Sequence, residues 1–370
     1  MNKLLISHIK RTICVFFLMG MSLGLKAQDP QFTQFYAAPL YLNPAFAGAS
    51  GGGRAIANYR NQWPGLDASF VTYAASYDQF FEQIRSGVGF MIKKDDQGIG
   101  AGKPITATDI AVMYSYHIPV NDKYAISTGL SLGYGVRALN FGDFIFEDQI
   151  IGPSDPLNPT SEQFSGQYKG YADVGSGFVL FSQNMWFGLS VSHLNKPNTS
   201  FLGGKEKLPR KLTVHTGYKI SLIPKGKYNP RHMPPERSIT PALMYLRQGA
   251  SEQLSLGTYL TLDPLMLGVW YRGIPTKKRQ YKGLNQDAVA ILTGIRLGTI
   301  SIGYSYDYTL SRLTNLNTTG SHEISITYSF VPKEKGIKKG NYGYPQILCP
   351  NPWKKFQKLK YEHLMKFDHF

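Results

Sequence analysis

From residue 52 to residue 330 the chain alternates apolar and polar positions with a period of two, the period of a β-strand with unlike faces. In 299–308 Ile300, Ile302, Tyr304, Tyr306 and Tyr308 alternate with Thr299, Ser301, Gly303, Ser305 and Asp307. Ile324, Ile326, Tyr328 and Phe330 alternate with Glu323, Ser325, Thr327 and Ser329, so the last run ends on an aromatic. Ile126, Leu130, Leu132, Tyr134 and Val136 share one face of 124–137, with serines and glycines on the other; Leu254, Leu256, Leu260 and Leu262 behave likewise, and Leu265, Leu267, Val269 and Tyr271 follow. About fourteen such runs can be counted, an even number as single-chain outer-membrane barrels have. A soluble sandwich or propeller shares the alternation. Aromatic apolar faces, runs of ten residues or more and connections of alternating length favour a transmembrane antiparallel β-barrel with its small, polar face inward.

Short connections are expected at 182–184, 262–263 and 297–298, and long ones at 140–165, 195–208, 274–285 and 310–319. The link 223–237 is long, proline-rich and basic, yet it falls on the short side. It is therefore either functional there, or the register slips by a strand near 223–251.

The amino terminus reads as a secretory leader: Lys3, Lys10 and Arg11, an apolar run over 12–25, and a cleavage site after Ala27. That run is too short for a membrane anchor, and no other is long enough for a helical span. Hydrophobic residues at 42% and a mean hydropathy of −0.22 suit a barrel whose two faces average out. The expected organisation is a leader at 1–27, a periplasmic or lumen-plugging segment at 28–50, a barrel at 51–330 and a basic periplasmic tail at 331–370. Four basic residues of the net charge of +16 belong to the leader, and the tail holds nine lysines against Glu334, Glu362 and Asp368. This balance suits anionic lipid, peptidoglycan or an acidic protein, since no nucleic-acid motif is present.

Between leader and first strand stands QDPQFTQFYAAPLYLNPAFAG, residues 28–48. Through Gln34, Tyr36, Leu42, Asn43, Pro44, Ala45 and Gly48 it resembles the opening of the PorP/SprF family, outer-membrane barrels of the Bacteroidetes type IX secretion and gliding machinery. The resemblance implies a non-enzymatic component that assists export or surface attachment of secreted proteins such as adhesins. Its implied partners are the substrate with its C-terminal domain, periplasmic secretion or gliding components, and outer-membrane lipid. A passive porin or small-solute channel is the alternative reading, and an enzyme at the barrel rim a third.

Phe35, Tyr36, Leu42, Asn43, Pro44 and Phe46 are candidates for docking a periplasmic partner, or equally for a lid that fills the lumen. In the tail, Trp353, Lys354, Lys355, Phe356 and Lys358 open a basic amphipathic stretch suited to periplasmic machinery or a lipid surface. No HExxH, CxxC or Walker sequence occurs, so no catalytic, cofactor or metal site is expected. His117 and His215 fall on polar strand faces and suit a polar network, while Asp95–Asp96 reads as a solvated loop. Cys349, alone after cleavage of the leader, reads as a spectator.

Overall fold

The computed structural model describes residues 28–67, 69–99, 102–121, 123–140, 168–182, 184–201, 204, 206–223, 235–278, 284–311 and 313–330. The leader and the tail, with Trp353, Lys354, Lys355, Phe356, Lys358 and Cys349, lie outside the described residues.

The strands are β1 (Gly53–Gln62), β2 (Phe70–Phe81), β3 (Ser86–Ile99), β4 (Gly102–Pro119), β5 (Tyr124–Leu139), β6 (Tyr168–Ser182), β7 (Met185–Ser192), β8 (Lys211–Tyr218) and β9 (Ile220–Ser221). They continue with β10 (Arg237–Gln248), β11 (Ser251–Leu262), β12 (Leu265–Lys278), β13 (Leu284–Leu297), β14 (Ile300–Thr309) and β15 (Ser321–Phe330). Each pairs antiparallel with its neighbours, and β15 pairs with β1 from Gly53↔Phe330 to Gln62↔Ser321, which closes the ring. Strands β8 and β9 both pair with β10 and form one stave broken at Lys219, so the barrel has 14 staves. No described helix is long and apolar enough to cross a membrane.

Alternation in the sequence becomes inside and outside. On β14 Ile300, Ile302, Tyr304 and Tyr308 are exposed while Gly303, Ser305, Asp307 and Thr309 are buried; β15 repeats this with Ile324, Ile326, Tyr328 and Phe330 outward and Glu323, Ser325 and Thr327 inward. Outward residues such as Leu132 and Ile291 are well over half exposed, which in lipid is their favourable environment. The ends of the barrel differ. One carries the turns at 82–85, 120–123, 183–184, 263–264 and 298–299 beside Gly53 and Phe330; the other carries the connections at 63–69, 193–210 and 310–320, with the end of β5 and the start of β6. The 219–236 link belongs to the turn end, so the register does not slip there. The link expected over 274–285 shortens, because β12 runs to Lys278 and β13 starts at Leu284.

Two readings of the polar face need correction. Asp95 and Asp96 are not in a solvated loop: both are buried in β3, where Thr72 and Gln97 bond Asp95 and Thr106 and Lys94 bond Asp96. Nor is the inner wall uniformly small and polar. Trp186, Tyr259, Met266, Trp270 and Leu292 point inward and are almost fully buried, because something apolar packs against them.

Candidate functional site: the amino-terminal strap in the lumen

What fills the lumen is the chain's own residues 28–49, a strap of three short helical turns at Phe35–Ala37, Pro39–Leu42 and Pro44–Phe46. Pro39 and Pro44 each open a turn, where their fixed φ fits and a missing N–H costs nothing. Asn43 is extended, and its Oδ1 accepts from Ala45 N at 3.0 Å, capping the third turn. Every residue from Phe32 to Leu40 and from Leu42 to Ala49 is buried.

The strap runs the length of the barrel. Asp29 stands at the loop end: its backbone N donates to Gln248 Oε1 at 3.0 Å, and its Oδ2 accepts from His193 Nε2 and Lys211 Nζ, both at 2.9 Å. Gly48 stands at the turn end, where its N donates to Asp78 Oδ2 at 3.0 Å and Arg54 grips Asp78 at 2.9 and 3.1 Å.

The loop-end half is held by charge. His193 Nδ1 meets Asp173 at 2.9 Å, so both ring nitrogens face carboxylates and the ring is fixed as an imidazolium. Burial disfavours that charge, but the hydrogen bonds the ring donates to Asp173 and Asp29 outweigh this and raise the His193 pKa from 6.5 to about 9. Burial also works against the Asp29 carboxylate, yet Lys211 and His193 hold its pKa well below the usual 3.8. Tyr41 lies beneath Lys211, 4.1 Å from its ring, and near Lys93, which pairs with Asp109 at 3.0 Å. Thr33 and Gln34 enter a second cluster. Arg60 bridges Asp307 at 2.8 Å and Glu323 at 3.1 Å, and Arg272 reaches Asp307 at 3.2 Å. Into that quartet Thr33 Oγ1 accepts from Arg60 and Arg272 and donates to Asp307, while Glu323 accepts the backbone N–H groups of Thr33 and Gln34 at 2.7 and 3.0 Å. Gln34 Oε1 also accepts from Ser325 and Tyr36.

The turn-end half is held by fit. Ser190, Ser127 and Ser115, inward on β7, β5 and β4, each donate at 2.7 Å to a strap carbonyl: Leu42, Ala45 and Ala47. Glycines lie beside them, and a Cβ at Gly177, Gly129 or Gly87 would collide with Asn43, Ala45 or Ala47, so only glycine lets the strap lie this close to the wall. Asn43 Nδ2 donates to the carbonyls of Phe178 and Leu189 at 3.1 and 3.2 Å and meets His215 Nε2 at 3.2 Å, with the Phe46 ring 5.3 Å from the imidazole. Across the lumen, Phe35 packs edge-on against Trp270 at 4.8 Å, and Tyr36 against Tyr259 at 5.4 Å.

Phe35, Tyr36, Leu42, Asn43, Pro44 and Phe46 are therefore together in the lumen, none more than 9% exposed. In this conformation a partner reaches them only if the strap leaves. His117 and His215 do join polar networks, through Ser115 at 3.1 Å and through Asn43. Sequence reasoning did not single out Thr33, Arg60, Lys211 or Arg272. The signal was present: Asp307 and Glu323 sit at inward positions on adjacent strands, and two buried carboxylates require cations.

No curated protein matches the sequence. Among solved structures, the Ralstonia pickettii toluene transporter TbuX is similar at 11% identity and a TM-score of 0.45, over 80% of this chain and 94% of that one. The P. putida toluene transporter TodX is similar at 11% and 0.44, over 79% and 93%, and a mutant Rh. blastica porin at 9% and 0.31, over 75% and 98%. The profile of the type IX secretion system membrane protein family PorP/SprF matches residues 24–328, strap and barrel together, and the chain belongs to that family.

Proposed function

We propose that this outer-membrane barrel is a non-enzymatic component of the type IX machinery that assists export or surface attachment of secreted proteins such as adhesins. The observation that carries the reading is the strap, which is bonded to staves around the ring and occupies the path that a passive porin would keep for solute. Support also comes from the loop end. There the 310–320 hairpin is pinned by Gly65 N to Thr318 O at 3.1 Å and Trp63 N to Gly320 O at 3.0 Å, and it carries Leu316 at 93% exposure. A fixed loop that exposes Leu310, Leu313 and Leu316 together suits protein contact better than solute passage. The tail, with Trp353, Lys354, Lys355, Phe356 and Lys358, is proposed to engage periplasmic components or lipid.

Deleting residues 28–49 tests this reading. The intact protein should be nearly silent in planar bilayers and the deleted form should conduct, while surface display of the cognate substrate falls. An intact protein that already conducts like an open pore, with display unaffected by the deletion, would establish the porin reading instead.

A further inference from the structure

The strap has a direction, and that direction places the start of the mature chain. Residue 53 begins β1 at the turn end, so a segment before it could be expected to remain on that side. The contacts place it otherwise. Passing back from Ala49 to Asp29, the partners move from Asp78 and Ser115, near the turns, through Asn58, to Arg60 and Glu323, and finally to Gln248 and Lys211, which end β10 and begin β8 at the loop end. His193, the other partner of Asp29, is the first residue of a loop-end hairpin. Gln28, one residue beyond, is exposed. In outer-membrane barrels the short turns face the periplasm and the long loops the exterior.

We propose that the mature amino terminus is threaded through the barrel and displayed at the cell surface, where Asp29 holds it in the outer mouth within reach of extracellular proteins. This inference rests on the outer-membrane orientation used above. It requires the leader to be removed before the strap is seated, because a leader still held in the inner membrane could not pass to the far mouth. The outer mouth then offers proteins outside the cell an extended amino terminus with an acidic second residue. It is an epitope that belongs neither to the loops nor to the tail.

The test is cysteine labelling of intact cells with a membrane-impermeant maleimide, in the full chain with Cys349→Ser. Three single variants are compared: Gln28→Cys, Leu316→Cys on the 310–320 hairpin, and Gln83→Cys on the exposed 82–85 turn. Gln28→Cys should label in intact cells to the level of Leu316→Cys, whereas Gln83→Cys should label only after lysis. Labelling of Gln28→Cys only after lysis, or not at all, alongside a labelled Leu316→Cys overturns the proposal. Labelling of Gln83→Cys instead of Leu316→Cys in intact cells overturns the orientation itself, which keeps the two failures distinct. Should Gln28→Cys fail to assemble, Gln28→Lys supplies the same readout. Residues 29–53 contain no lysine or arginine, and a lysine at position 28 cannot undergo the cyclisation that removes the amine of an amino-terminal glutamine, so an impermeant amine label on the peptide 28–54 reports the amino terminus. Its labelling on intact cells is the expected result, and labelling only after lysis the contrary one.

Discussion

The two halves of the strap are held by different physics. Toward the loops, ions grip it: Asp29 between His193 and Lys211, and Thr33–Gln34 inside the quartet of Arg60, Arg272, Asp307 and Glu323. Toward the turns, shape does most of the gripping, with serine hydroxyls on carbonyls and glycines that admit the backbone, and the Arg54–Asp78 pair adds one charged contact at Gly48. Ion pairs can be loosened by pH, while close packing responds only to a change of volume. The outer half, where most of the ion pairs lie, is thus the more adjustable one.

Arg60→Ala should show the contrast most strongly. It leaves Asp307 and Glu323 buried with less compensation, a loss of about 3–5 kcal/mol for a broken buried pair. Limited proteolysis of detergent-solubilised protein should then cut within residues 28–37 while 43–49 stays protected. Cleavage throughout would show that the halves are one unit. Gly129→Val attacks the other half by driving a side chain into Ala45, at about 1–3 kcal/mol for overpacking. Here the turn-end part of the strap should become cleavable and conductance should rise. Unchanged protection would mean that the close approach is not needed. Asn43→Ala removes the cap and the bonds to Phe178 and Leu189, and should lower thermal stability by about 1–2 kcal/mol. A loss at the size of Arg60→Ala would place the main anchor at the turn end instead.

The smallest expected effect is that of pH, and it is confined to the outer half. The His193 pKa is raised in the folded state, so its stabilisation is complete below 6.5 and disappears as pH rises through about 9. Asp29 is lowered, so its share is present above 3.8 and is lost as pH falls through its depressed folded value. Protection of residues 28–33 from proteolysis should therefore weaken as pH rises from 6.5 to about 9, with 43–49 unaffected. A flat profile from pH 6 to 10 would remove His193 from the latch.

The barrel was legible in the sequence because lipid is a uniform solvent: most outward positions obey one rule, and period two exposes it. The lumen obeys no single rule. Tyr259 and Trp270 break the small-and-polar inner face because each meets an aromatic side chain of the strap, a partner more than 200 residues away, and Trp186 lies in the same buried cluster. Asp95–Asp96 misled because adjacent carboxylates resemble a loop unless Thr72 and Thr106 on the neighbouring strands are known to bond them. The aromatics of 28–48 pointed to a packed segment, but only the contacts reveal that it runs toward the outer mouth.

The seam between β1 and β15 joins the two chain ends, and the strap crosses it: Asn58 of β1 bonds Ala37 O, while Glu323 of β15 bonds Thr33 N from 290 positions away. The ring cannot shut until the last strand has emerged, and by then a segment from before the first strand is ready to bind both lips of the gap. The strap thus works as a mandrel on which the cylinder is wound. Its backbone and hydroxyl groups hydrogen-bond Arg60 and Glu323 on the two closing strands, whose charges pair with each other across the seam, so the filling of the barrel and its closure share one set of contacts.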